Sequence, residues 1–208
     1  MKNVVVLGKG DLCIKICEWF KKHENLKYVV PVIPEPHWTE SLVDWCEVNQ
    51  IDYVKSGNYR DLPKDRKIDL AFSCFYDKIV KNDFIEKCVR ILNLHNSPLP
   101  LYRGMRPINW ALKDKRQEHG VTIHEITPGI DDGPIVSQVR FSIYPDFEEV
   151  EDVYLKALNY GYTLFLETMP ILDVIEAKKQ TGEIIYHSSL DNNLLGDREG
   201  YRRDLKTK

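Results

Sequence analysis

The feature that most constrains this 208-residue chain is the alternation, through its first half, of short apolar runs with helix-period segments. Val4-Val5-Val6-Leu7 reads as a buried strand and Gly8-Lys9-Gly10 as a turn. Asp11 then caps a helix to about Lys22 that buries Leu12, Ile16, Trp19 and Phe20. Tyr28 to Ile33 is a second strand, stopped by Pro34-Glu35-Pro36, and Thr39 or Ser41 opens a helix through Leu42, Trp45 and Cys46. A short strand near Tyr53-Val54 follows, then Leu70 to Cys74 and Arg90 to His95. Strands separated by helices need crossover connections, so the chain is read as α/β, a mostly parallel sheet with helices on both faces. Such sheets bind ligands beyond the carboxyl ends of their strands, which directs attention to Leu7, Cys74 and Leu94.

The second half has a different grain. Val121 to Ile126 alternates as a strand, Pro128 to Pro134 is rich in turn formers, and Ile135 to Ile143 returns as a strand. A helix is expected from near Asp146, with Glu149 in a capping-box position. Val150, Tyr154, Ala157, Gly161, Leu164, Phe165 and Leu172 carry its stripe to about Lys178, with a disturbance at Pro170. The end, Asp197 to Lys208, is polar and mildly basic.

Composition removes several classes. Apolar residues at 43% supply a core, and a net charge of −3 argues against nucleic acid as the main partner. No apolar run is long enough to span a bilayer, so no membrane partner is expected; the first residues lead straight into a strand pattern, so neither is a signal peptide. Cysteines 13, 17, 46, 74 and 88 form no Cys-x-x-Cys pair. They are read as buried reduced thiols rather than disulfides or a metal site, which points to the cytoplasm.

The chemistry gathers at Asn93-Leu94-His95-Asn96-Ser97-Pro98-Leu99-Pro100. Strand residues two apart face one side, so Asn93 and His95 project together, and the prolines end the strand just beyond them. Asp131-Asp132-Gly133, flanked by Gly129 and Pro134, makes a tight loop able to aim a carboxylate inward. Asparagine, histidine and aspartate suit acyl transfer to an amine. The amide N–H stabilises a developing oxyanion, the imidazole handles the proton, and the carboxylate orients the ring. Asp132 is read as a turn former and the direction of His124 is left open. Trp110, Trp45 and Trp19 are placed in the core, with Trp110 near enough to the site to touch a substrate.

Asn93-x-His95-x-Ser97-x-Leu99-Pro100, Tyr102-Arg103-Gly104, Pro107, Trp110, Gly120-Val121-Thr122 and Asp131-x-Gly133-Pro134 together resemble the 10-formyltetrahydrofolate-dependent formyltransferases. The resemblance covers about the first 180 residues and implies a Rossmann-like formyltransferase fold, with 1–180 as catalytic domain and 181–208 as a short C-terminal strand and basic tail. It implies that Asn93, His95 and Asp131 are the catalytic residues. It further implies that Phe75, Tyr76, Lys78, Ile79, Val80, Ile130 and Gly133 hold the folate co-substrate. Ser97, Tyr102, Arg103, Gly104 and Trp110 are expected to contact the acceptor, and no metal is expected.

Within the family, methionyl-tRNA enzymes look longer and more basic, and Gly8-Lys9-Gly10-Asp11-Leu12 is a poor match to the phosphate loop of the purine-pathway enzymes. His95 to Gly104, the strand expected at Glu183 to Tyr186 and the Arg-rich run from Arg198 to Arg203 are most similar to the nucleotide-sugar N-formyltransferases. The expected acceptor is therefore a nucleotide-linked amino sugar and the expected assembly a homodimer. The rival readings are a phosphoribosylglycinamide-type formyltransferase, a hydrolase releasing formate, a nicotinamide-dependent oxidoreductase and a silent binding domain. Cys13 where a dinucleotide fingerprint needs its third glycine disfavours the oxidoreductase.

Overall fold

The computed structural model describes residues 1–63 and 67–198. They fall into two compact units, residues 1–94 with 125–128, and residues 95–124 with 129–198. The fold is α/β with mostly parallel strands.

In the first unit the elements run β1 (Asn3–Gly8), α1 (Gly10–His23), β2 (Asn25–Pro31), α2 (Leu42–Asn49), β3 (Ile68–Cys74), α3 (Asn82–Ile85) and β4 (Cys88–His95). The strands pair in parallel in the order β2-β1-β3-β4, as the crossover pattern requires. Val4, Val6, Leu7, Ala71, Phe72, Leu92 and Leu94 are all buried, the near-continuous apolar runs of strands covered on both faces. Register places Gly8 beside Cys74 and Cys74 beside Leu94, so three carboxyl ends finish level. A Cβ at Gly8 would lie 2.0 Å from the Cys74 carbonyl oxygen, so only glycine admits this approach.

Several boundaries differ from the sequence expectation. Lys9, not Asp11, is the N-cap of α1, and the Asp11 carboxylate accepts from the Glu40 N–H at 3.0 Å. Trp19 is half-buried and stacks on His23 at 4.5 Å, and Trp45 is half-buried as well; both indoles lie where their helices meet the surface. Strand β2 starts at Asn25, whose N–H donates to the Lys2 carbonyl. Ser41 rather than Thr39 caps α2, and Glu35 accepts from the Ser41 hydroxyl and the N–H groups of Leu42 and Val43. Tyr53 makes a single bridge to Val29 instead of a strand. All five cysteines are free, four of them buried.

The second unit contains β5 (Arg103–Gly104), α4 (Pro107–Lys113), β6 (Glu118–Glu125), β7 (Ile135–Ser142), α5 (Val150–Thr168) and β8 (Tyr186–His187). β6 and β7 are antiparallel, with a register shift between Ile123 and His124. Helix α5 begins four residues later than expected. Glu149 is itself the N-cap, in a capping box with Asp152, each side chain accepting from the other's backbone N–H. The helix ends at Thr168, and Pro170 opens a 3-10 turn over Met169–Val174. The strand expected at Glu183 to Tyr186 is the two-residue β8, parallel to β5. The His187 ring lies against Trp110 at 3.7 Å and 7°. Arg198 donates to Glu149 at 2.8 Å and to the Pro145 carbonyl at 2.7 Å. The rest of the basic tail lies outside the described residues.

Candidate active site

Strand β4 carries Asn93 and His95 two positions apart, and its last residue is His95. Beyond it the chain turns through Pro98 and Pro100. The turn is held by the Ser97 hydroxyl donating to the Leu101 carbonyl at 2.7 Å and the Thr122 hydroxyl donating to the Ser97 carbonyl at 2.7 Å. His95 is 8% exposed, and both ring nitrogens face oxygen. Nε2 lies 2.9 Å from the Tyr102 carbonyl, and Nδ1 lies 3.5 Å from Asp131 Oδ2.

Asp131 is the hub. Its Oδ2 accepts from the Gly104 N–H at 2.8 Å, and its Oδ1 lies 3.4 Å from His124 Nε2. Asp131 sits in the left-handed region at φ 48, a conformation aspartate tolerates better than most residues. Burial pushes its carboxyl upward, but the facing His95 and His124 rings and the Gly104 N–H overcome it and hold the group far below the usual carboxylate range. An ionised carboxylate is thus kept between two imidazoles.

The sequence left His124 undecided, and the structure turns it, 2% exposed, toward Asp131. Gln180 went unread altogether. Its amide nitrogen donates to the carbonyls of Asp131 and Gly133, each at 2.8 Å, and its oxygen accepts from Arg103 Nε and Nη2 at 3.0 and 2.7 Å. No sequence pattern links positions so far apart.

The other expected site residues divide by exposure. Tyr76 and Lys78 both donate to the Gly57 carbonyl at 2.7 Å, Phe75 has a positive φ of 62, and Val80 is buried. Ile79 and Ile130 present apolar surface at 56% and 42% exposure, while Gly133 is buried. Among the expected acceptor contacts, Arg103 and Gly104 are half-buried. Ser97, Tyr102 and Trp110 are buried. The Ser97 hydroxyl is engaged by Leu101, the Tyr102 hydroxyl donates to Asp114 at 2.8 Å, and the Trp110 ring is covered by His187. Among the described residues, no group of three or more His, Cys, Asp or Glu is arranged for a metal ion.

A carboxylate set between two imidazoles at the end of a parallel strand is an arrangement able to take up and return a proton. This chain belongs to the formyl transferase family, whose model matches residues 2–169. It is 35% identical over 147 residues to a methionyl-tRNA formyltransferase from Thermodesulfovibrio yellowstonii, covering 68% of this chain and 46% of that one. Among solved structures it is similar to WlaRD, a sugar 3N-formyl transferase crystallised with dTDP and 5-N-formyl-THF. The identity is 27% and the TM-score 0.82, over 92% of this chain and 71% of that one. It is also similar to the N-formyltransferase from Helicobacter canadensis in complex with folinic acid and dTDP-3-aminofucose, at 28% identity and a TM-score of 0.80, covering 92% and 72%. The chain spans between 21% and 58% of the length of the first curated relatives it matches.

Proposed function

We propose that this protein transfers a formyl group from 10-formyltetrahydrofolate to the amine of a nucleotide-linked amino sugar. The observation that carries the reading is the half-buried Asp131 carboxylate held against His95 at the end of the strand that also bears Asn93. In this reading the Asn93 amide N–H stabilises charge developing on the formyl oxygen, an effect of about 3 kcal/mol for one such donor. His95 takes the proton from the attacking amine and returns it to the departing nitrogen. Asp131 orients the His95 ring, and His124 and the Gly104 N–H hold Asp131 in place.

Folate chemistry fits what the residues offer. The Phe75–Val80 segment has left-handed backbone at Phe75 and apolar surface at Ile79, and the turn from Ile130 to Gly133 adds apolar surface at Ile130. These residues would hold the co-substrate's ring. Arg103 and Gly104 face the acceptor, and residues 1–180 form the catalytic domain, with 181–208 as its extension. The sugar acceptor is supported by the two sugar N-formyltransferase structures that match over nine-tenths of this chain. A cytoplasmic homodimer belongs to the same reading and is tested by sedimentation of the purified protein.

The deciding experiment follows folate product from 10-formyltetrahydrofolate with and without a panel of nucleotide-linked amino sugars. Turnover that requires one of them identifies the acceptor class. Turnover with methionyl-tRNA or glycinamide ribonucleotide instead refutes the sugar assignment while keeping formyl transfer. Folate consumption with no amine present marks a hydrolase.

A further inference from the structure

Gln180 lies beyond the long helix and yet meets both backbone segments that converge on Asp131. An unmodified carboxamide has two N–H donors and two acceptor lone pairs, and here all four are used. The nitrogen serves the carbonyls at either end of the turn Asp131-Asp132-Gly133, and the oxygen takes two donors from the Arg103 guanidinium. Its placement is set by main-chain pairing. Ile135 and Lys178 exchange both backbone hydrogen bonds as an antiparallel bridge, at 2.7 and 2.8 Å. Antiparallel register then brings the residue two past Lys178 opposite the residue two before Ile135, which is Gly133. Arg103 is anchored from the same segment, its N–H donating to the Ile185 carbonyl at 2.8 Å. Its neighbour Gly104 supplies the N–H that binds Asp131 Oδ2.

The Asp131 side chain is therefore aimed by two connections made at different atoms. One is direct, from Gly104 to the carboxylate; the other runs through Gln180, from Arg103 to the main chain of the turn. Asp131 has a positive φ, a backbone state that relaxes readily when its carbonyls lose their partners. Glutamate in this place would bring oxygens against two carbonyl oxygens, and alanine would leave both carbonyls and the guanidinium without their partner.

We propose that Gln180 is a positioning residue for the Asp131 carboxylate, locking the 131–133 turn so that the carboxylate meets His95 and His124. The assignment rests on the formyl-transfer reading for its kinetic consequence but not for its structural one, and the test separates the two. Gln180→Ala, Gln180→Asn and Gln180→Glu are compared with the unaltered protein by the thermal midpoint, by the 13C titration of the Asp131 carboxyl and by steady-state kinetics. Gln180→Ala is expected to stay folded, to move the Asp131 titration upward toward the ordinary carboxylate range, and to perturb the His95 and His124 ring resonances. Its kcat should fall about 10- to 100-fold, the scale for a catalytic group displaced by an ångström, with the KM for 10-formyltetrahydrofolate little changed. Gln180→Asn, which keeps the amide on a shorter stem, should fall between Gln180→Ala and wild type, and Gln180→Glu should be at least as impaired as Gln180→Ala. A Gln180→Ala protein whose Asp131 titration and ring resonances coincide with wild type overturns the proposal, whatever its turnover. An unaltered protein that moves no formyl group sinks the formyl-transfer reading instead, while the resonance comparison still decides Gln180. If Gln180→Ala does not fold, Gln180→Asn carries the same comparison.

Discussion

The two units spend their interiors differently. Among the described residues, the first unit buries one polar side chain outside its thiols, Ser73. The second buries His95, Ser97, Asn109, His119, Thr122, His124 and Thr168. The first is a parallel sheet filled with Val, Leu, Ile and Phe, in which burial pushes even the Cys17 and Cys74 thiols well above their ordinary range. The second keeps an ionised aspartate beside two imidazoles and needs backbone donors to do so. Apolar packing gives stability that tolerates redesign, whereas a buried polar network is favourable only when every member is satisfied. A substitution in the first unit should therefore be felt in folding, and one at the Asp131 network in chemistry.

The largest effect tests that division directly. Asp131→Asn or His95→Ala should lower kcat by about 10²- to 10⁴-fold while the thermal midpoint stays within a few degrees of wild type. Loss of fold with no specific loss of rate would erase the contrast. Phe72→Ala, in the middle of β3 and fully buried, should cost about 3–5 kcal/mol in denaturant unfolding, with kcat per folded molecule unchanged. A changed kcat there would mean that the first unit's packing enters the chemistry.

A third test sharpens the comparison through pH. Burial lowers His119 from 6.5 to about 4, against the pull of its contact with the Asn96 carbonyl. A lowered folded-state value means the unfolded chain binds more protons, so stability is full above pH 6.5 and is lost as pH falls toward 4. His119→Gln retains a donor for Asn96 and removes the titration. Between pH 7.5 and pH 4 wild type should therefore lose about 3 kcal/mol more than the variant, read by denaturant midpoints at each pH. Smallest of all, Arg140→Ala removes an ion pair to Glu118 whose side chains are 45% and 55% exposed. It should change stability by less than about 1 kcal/mol and leave activity untouched.

Much of this was legible in the residues. The runs Val4 to Leu7, Leu70 to Cys74 and Arg90 to His95 marked β1, β3 and β4, because strands buried on both faces show their hydrophobicity without interruption. Asn93 and His95 stood out as an amide and an imidazole two apart just before a proline stop, whereas Asp131 was singled out from its turn by the family resemblance. The direction of His124 was not readable, since the register shift between Ile123 and His124 breaks the alternation that would have assigned it a face. Glu149 was recognised as part of a capping box, and the box forms with Glu149 as N-cap and Asp152 at the third helical position. Gln180 carried no signal of any kind, because its partners, the Arg103 guanidinium and two main-chain carbonyls, lie far away along the chain.

The face-to-face pair of Trp110 and His187 has an optical consequence. An imidazole pressed flat on an indole offers the excited state a nearby electron acceptor, most effectively when the imidazole is protonated. Trp110, like Trp19 stacked on His23 at 4.5 Å, should accordingly be dim and dim further on acidification. Release of β8 from β5 would brighten it, so the protein carries its own unlabelled lamp for whether the segment after the long helix is docked.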